Sequence, residues 1–481
     1  MKDQLDRTPW AWLLLGALLL VASQMRVGMG VLAWIAPVSF LHYIRLTSGW
    51  RSRVVFWLVN LCAWSAVMLK ITTHPLPAIA ALGWAVPFSV VFVVPYLTWP
   101  SVRRQLGENA GTLTFGTMMV VGEWTLHAAL PLGVWGSAAN TQLDQLALLQ
   151  LSSVTGLHGV SFLIYTVAAV LERLLNGERS TVRRAALVAA AAVAGTIAFG
   201  QARLGLASFE ATPTRLVAAV GTDSVVGTEP DLPTEERLRQ DEQGLMARTE
   251  TAAQAGAELV VWNEGATMVW PEQEEAWLDR LSQLANRLGI DLVAAYVVPL
   301  QTEPLFYENK YVFVRADGTI DHTYFKHEPV PGEPAVRGDG PMPLVEDARG
   351  NVGGAICYDY DFPNLALGNA RNGADLVALP SSDWRGIDPI HTQMAAVRAI
   401  EGGTSVLRST RFGLSAGIDS WGRIRGWHSA WDDEQRVLLV HLPRRGVETV
   451  YAALGDWFPT TCGLFSLFIF GVSLRRRLAG R

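Results

Sequence analysis

Residues Gly353–Pro363 read GGAICYDYDFP. A short apolar run opening on two glycines ends at Cys357, and tyrosine and aspartate then alternate up to a proline. The pattern predicts a buried strand that stops at a cysteine and passes into a turn. Reading it as a strand fixes the fold of its surroundings, because the neighbouring segments alternate in the same way. The cysteine itself admits two readings. A free cysteine is most often core packing, yet a thiolate at a strand end is a strong nucleophile once activated.

Outward from this stretch, short apolar strands alternate with helices. RLVAAVG (215–221), AELVVWNE (257–264) and IDLVAAYVVPL (290–300) read as strands, with EERLRQDEQGLMARTETAAQAG (235–256) and EEAWLDRLSQLANRLG (274–289) as helices between them. NKYVFVRADGTIDHTYFK (309–326) carries Asp317-Gly318 between two strands, a hairpin signal. After Cys357 come a helix through 364–373, a strand through 374–382, a helix through 390–403 and strands near 405–410, 414–419 and 435–442. Strands and helices mixed in this order predict a layered α/β domain over residues 205–450.

The rest of the chain has another texture. Of the 481 residues, 50% are hydrophobic and only 17% charged, and 18 are tryptophan. A membrane-crossing helix needs about 17–25 apolar residues. Seven such segments precede residue 205, at 9–24, 27–45, 53–71, 77–99, 112–135, 157–175 and 184–204, and an eighth lies at 455–474. The first segment lacks a clear cleavage site and is read as a retained span. Lys2 and Arg7, then Arg45, Arg51 and Arg53, then Arg103 and Arg104, then Arg173, Arg179, Arg183 and Arg184 fall in every second loop, and Arg475, Arg476, Arg477 and Arg481 close the chain. The alternate loops hold only Arg26 and Lys70. By the positive-inside rule the N-terminus is cytoplasmic. Residues 1–204 then form a seven-span helical bundle, 205–450 an extracytoplasmic domain, and 451–481 a closing span with a short basic cytoplasmic tail. The net charge of −5 and the absence of a basic patch argue against a nucleic-acid partner.

Three cysteines are too few and scattered for a disulfide framework or zinc site. Cys62 and Cys462 fall in apolar spans, which leaves Cys357 alone in the polar part. Glu264 and Lys326 also end predicted strands. A carboxylate can take a thiol proton, and an ammonium can stabilise a developing oxyanion, so a Glu/Lys/Cys set suits acyl transfer through a thioester.

LVVWNEGA (259–266), YFKHEPVPGE (324–333) and GGAICYDYDFP resemble the three signature segments of the carbon–nitrogen hydrolase, or nitrilase, superfamily. MAAVRAIEGGTSVLRSTRFGLSAGIDSWGRI (394–424) is similar to its downstream segment, with Arg398, Glu401, Arg408, Gly413 and Asp419 in place. GEWTLHAALPLG and LPLGVWGSAANTQLDQLALLQLSSVTGLHGVSFLI look like the membrane part of the apolipoprotein N-acyltransferase family. The resemblance implies a four-layer α-β-β-α sandwich on a multi-pass bundle in a bacterial inner membrane, with the catalytic domain on the periplasmic side. It implies that Glu264 is the general base, Lys326 the oxyanion partner and Cys357 the nucleophile. A phospholipid would be the acyl donor and a diacylated lipoprotein the acceptor, in a monomer needing no cofactor or metal. A membrane-tethered amidase-type hydrolase and an acyltransferase with another amine acceptor are the alternatives, with a non-catalytic scaffold third.

Several residues keep two readings. Glu333 either supports the lysine or is solvated in its Pro/Gly-rich loop. Asp359, where the family carries glutamate, is either an accessory acid or a turn residue. Trp262, Trp270 and Trp384 either shape an acyl groove or pack. Glu123, inside a span, is either functional or hydrogen-bonded to a neighbouring helix, and His158 reads as interfacial. Departures cluster near the site: Asn263 replaces a proline, AAVGTDSVVGTEPD (218–231) lacks the usual Gln and Asn, Ser382 opens Ser-Asp-Trp, and Arg411-Phe412 replaces Asn-Thr.

Overall fold

The computed structural model describes residues 7–74, 76–177, 179–207, 212–226, 232–432 and 436–479. Lys2, Arg481 and residues 227–231 lie outside them. The chain divides into two compact units, residues 1–206 with 454–481, and residues 207–453.

The first unit is helical. Its main helices are α1 (Pro9–Ser23), α2 (Ala36–Leu46), α3 (Trp50–Leu69), α4 (Ile79–Leu106), α5 (Glu108–Ala129), α6 (Leu157–Leu175) and α7 (Arg179–Leu206), with a last helix at Trp457–Ala479. Among the described residues, five helices are long and apolar enough to cross a membrane: Trp50–Leu69, Ile79–Leu106, Leu157–Leu175, Val182–Leu206 and Trp457–Arg476. α1 has 15 residues. α5 has 22, but Glu108, Glu123 and several threonines lower its hydropathy. The Glu123 carboxylate accepts from Ser137 Oγ (2.9 Å), the Ala138 N–H (2.9 Å), Ser161 Oγ (2.7 Å) and Tyr165 Oη (3.0 Å). It ties α5 to α6 and to the segment between them, as buried polar groups require. His158 is buried against His127, with ring centroids 5.4 Å apart.

The second unit is a four-layer α-β-β-α sandwich. One six-stranded sheet has the order β12-β1-β2-β3-β4-β5, and the other β11-β10-β9-β8-β7-β6. The strands are β1 (Thr214–Val220), β2 (Leu259–Trp262), β3 (Asp291–Thr302), β4 (Leu305–Val314), β5 (Ile320–Phe325), β6 (Leu344–Val345), β7 (Val352–Gly354), β8 (Leu376–Ser382), β9 (Ser405–Arg411), β10 (Leu414–Ile418), β11 (Ile424–Ser429) and β12 (Val437–Pro443). Val217, Val261, Val293, Tyr311, Ile356, Leu376 and Leu407 interleave between the sheets. Helices α8 (Glu235–Gln254) and α9 (Glu274–Leu288) cover the first sheet, burying Leu245, Trp277 and Leu281 on Val260 and Trp262. Helices α10 (Pro363–Arg371) and α11 (Ile390–Gly402) cover the second through Ala366, Ala395 and Ala399. α9 ends at Gly289 with φ +65°, the left-handed cap only glycine adopts without cost.

β1, β2 and β3 run parallel, as do β7, β8 and β9, and the hairpin from β3 through β4 returns β5 in the direction of β3. The carboxyl ends of β2, β5, β7 and β8 therefore share one rim, where ligands of open α/β sheets bind. β12 pairs antiparallel with β1 from Thr214↔Pro443 to Val220↔Val437, and the Arg444 N–H donates to Pro213 O at 2.9 Å.

Candidate active site

β7 is three residues long, and the chain then turns into a short 3-10 helix, Cys357–Asp361. Cys357 sits at the bend with φ +47°. A non-glycine residue there stores about 1–3 kcal/mol of strain, held by the packing around it. That packing starts at the two glycines. A Cβ on Gly354 would lie 2.0 Å from Tyr311 Oη of the facing sheet, and one on Gly353 would lie 2.3 Å from Asn369 Oδ1 of α10. Only glycine lets β7 approach both layers closely enough to seat the thiol.

Cys357, Glu264 and Lys326 are all buried, and the rim brings them together. The Lys326 ammonium donates to Glu264 Oε1 and Glu333 Oε2, both at 2.7 Å. Asn309, from β4, bridges the same carboxylates, its Nδ2 2.7 Å from Glu264 Oε1 and 2.9 Å from Glu333 Oε1. The Val330 N–H (2.8 Å) and Tyr307 Oη (3.4 Å) complete the shell of Glu333. Glu333 is thus built into the site and not solvated. Burial opposes the charge of Lys326, but Glu264 and Glu333 outweigh it and hold the ammonium well above its usual range. Burial likewise works against Glu333, and Lys326 overcomes it, holding this carboxyl below its usual range. For Cys357, burial first and Glu264 second push the thiol well up, against the weaker pull of Lys326. The resting site is a neutral thiol beside a carboxylate and a fixed ammonium.

Asp359 faces backbone. Its carboxylate accepts from the Ile356 N–H (3.0 Å), the Glu328 N–H (2.6 Å) and Tyr324 Oη (2.9 Å). It straps the Cys357 turn to the loop that follows Lys326. Burial raises its carboxyl to about 6, partly offset by those N–H donors.

The departures from the signature have structural partners. Asn263 Oδ1 accepts the Thr222 N–H at 2.7 Å, and its Nδ2 donates to Glu264 O at 2.9 Å. Arg411 is buried; it donates to Ser224 O (2.7 Å), Val226 O (2.6 Å) and Ser382 Oγ (2.9 Å). Both residues pin the 222–226 segment that lacks the usual Gln and Asn. Beneath the thiol lies a buried cluster of Asp361, His391, Asp383 and Arg408. Cys357 Sγ, an Asp383 oxygen and a His391 nitrogen fall within 4.8 Å of one another. Both Asp383 oxygens and both His391 nitrogens are already engaged within the cluster, so these donors read as ion pairing rather than as a metal centre.

The three tryptophans separate. Trp262 is fully buried between sheet and helices, packed on Trp277, with Nε1–H donated to Thr249 Oγ1 at 2.9 Å. It belongs to the core and lines no groove. Trp270 packs half-buried on the cluster containing Met268, Val297 and Tyr307. Trp384 is half-buried in the turn after Asp383, its carbonyl accepting from the Ile387 and Asp388 N–H groups. The sequence reading missed Asn309, Tyr307 and His391. Asn309 was signalled by Glu-Asn-Lys interrupting an aromatic and apolar strand.

Residues 198–452 match the carbon–nitrogen hydrolase family, and residues 16–170 match the apolipoprotein N-acyltransferase N-terminal domain. A curated apolipoprotein N-acyltransferase of Geobacter metallireducens is 25% identical over 99% of this chain and 97% of its own. That of Pseudomonas putida is 27% identical over 72% of this chain and 70% of its own. Among solved structures, an amidase from Nesterenkonia sp. aligns at 20% identity and TM-score 0.39 over 48% of this chain and 91% of its own. A carbon–nitrogen hydrolase from Helicobacter pylori aligns at 16% and 0.40 over 48% and 89%.

Proposed function

The chain belongs to the carbon–nitrogen hydrolase family, and from that premise we propose that it is a multi-pass membrane N-acyltransferase. It moves a fatty acyl chain from a phospholipid to the N-terminal amine of a diacylglyceryl-cysteine lipoprotein. One observation carries the chemistry: a buried thiol shares its rim with an ammonium clamped between two carboxylates. An N-terminal domain match to the apolipoprotein N-acyltransferases and full-length relatives of that name support the substrate class.

The steps follow from the protonation states. Burial keeps the Cys357 thiol protonated, so ionisation has to accompany attack. Glu264 takes the proton as Sγ bonds to the ester carbonyl carbon. Two N–H groups of Lys326 are spent on Glu264 and Glu333, and the third is the donor for the oxyanion. The C–O bond breaks, the lysophospholipid alkoxide recovers the proton from Glu264, and a thioester remains. The lipoprotein amine then attacks the thioester carbonyl and yields its proton to Glu264. The C–S bond breaks, and the thiolate takes that proton back. A membrane setting suits both substrates, since drawing acyl chains into water costs about 0.8 kcal/mol per methylene. We place the catalytic unit on the periplasmic side, on the strength of the arginine-rich alternate loops.

The test is incubation of the full-length protein with acyl-labelled phospholipid. A hydroxylamine-sensitive adduct that is lost in Cys357→Ala is expected. A diacylated lipopeptide added next should become triacylated. Release of free fatty acid alone would identify a hydrolase instead, and a Cys357→Ala variant that retains transfer would overturn the mechanism.

A further inference from the structure

The cluster under the nucleophile has no part in the steps above, yet it is a group of four buried charges in direct contact. His391 Nδ1 lies 2.8 Å from Asp383 Oδ1, and Nε2 lies 3.0 Å from Asp361 Oδ1. A carboxylate oxygen on each ring nitrogen is satisfied only when both nitrogens carry protons. Arg408 forms the other side, with Nη2 2.7 Å from Asp383 Oδ1 and Nη1 3.0 Å from Oδ2. Its Nη2 also lies 2.9 Å from His391 Nδ1, since both atoms converge on Asp383 Oδ1. Side-chain exposure is at most 4% for these four residues. Arg408 stays charged. With a cationic ring the two positive and two negative charges balance; with a neutral ring one negative charge is left within reach of Sγ.

We propose that His391 is a positioning residue for the reaction: held cationic between Asp361 and Asp383, it cancels a negative charge beneath Cys357 that would otherwise oppose ionisation of the thiol during attack. Burial works against the imidazolium, but Asp361 and Asp383 outweigh both burial and Arg408, placing its titration at about 9. Among the described residues, the charged and titratable groups around Cys357 and this cluster include Glu264, Lys326, Tyr358, Asp388 and Arg411. A charge within about 4–6 Å moves a group's titration by about 1–3 pH units.

The proposal rests on Cys357 being the nucleophile, but its test needs neither lipid. The initial rate of iodoacetamide alkylation of the Cys357 peptide is followed by mass spectrometry at about pH 7.5, where the His391 ring is charged, in the full-length protein, which separates it from Cys62 and Cys462. His391→Gln should lower that rate by about 10–100-fold. Asp361→Asn combined with His391→Gln leaves Asp383 and Arg408 balanced and should return the rate toward that of the parent. A merely structural histidine predicts that the double variant is at least as impaired as the single one. Asp361→Asn alone keeps the ring and should leave the rate at or above the parent value, so it serves even if His391→Gln does not fold. An unchanged rate in His391→Gln, a double variant without recovery, or a lowered rate in Asp361→Asn would overturn the charge-balance role. Retained acyl transfer in Cys357→Ala would instead overturn the catalytic reading on which it rests.

Discussion

At the scale of single residues, the site is a chain of charges with one proton to move. Glu264→Gln keeps the shape and the contact to Lys326 but cannot take the thiol proton, so acyl transfer should fall by about 10²–10⁴ in kcat. Lys326→Met removes the oxyanion donor and leaves Glu264 and Glu333 facing each other; a loss of about 10²–10³ or more is expected in single-turnover acylation. Asp359 makes a prediction about pH. Its folded carboxyl titrates at about 6, above the usual value of about 4, so folding takes up a proton. The stability tied to that proton is present below about pH 4 and is lost as pH rises through 6. Asp359→Asn should flatten this slope in melts between pH 4 and 7, and should cost about 1–3 kcal/mol for the Glu328 N–H left facing an amide. A slope unchanged in the variant would assign it elsewhere. Glu264, Lys326 and Cys357 were legible in the sequence because each ends a strand with a recognisable signature. Trp262 was not, because LVVW is apolar throughout. A strand buried on both faces shows no alternation from which to assign a face.

At the scale of elements, the decisive one is β7. Its approach to the opposite sheet depends on Gly354 meeting Tyr311 Oη. Gly354→Ala should destabilise the catalytic unit by about 1–3 kcal/mol through overpacking. Tyr311→Phe removes the atom in the way, so the double variant should recover part of the lost melting temperature. Strictly additive losses would show that the clash is relieved elsewhere. Most elements could be read from the sequence, since amphipathic helices such as 274–288 carry a clear period and strands such as 291–302 a continuous apolar run. β11 could not. IRGWHS alternates weakly, its residues are half-buried or exposed, and it forms a sheet edge paired only with β10.

At the scale of the whole molecule, the arginine pattern predicts that a reporter joined after residue 450 lies outside the cytoplasm. Alkaline phosphatase fused there should be active, and a cytoplasm-only reporter should be silent. The reverse result would sink the proposed topology. The ladder between β1 and β12 bears on how such a molecule is put together. Thr214 lies opposite Pro443, and Arg444 returns a hydrogen bond to Pro213. The first and last strands of the catalytic unit are therefore neighbours in one sheet, and after Pro443 the chain runs on to Ala453 within the same unit. In genetic terms the unit is a cassette: one uninterrupted stretch of chain, residues 207–453, that holds every strand of both sheets and can be exchanged between chains without cutting through them.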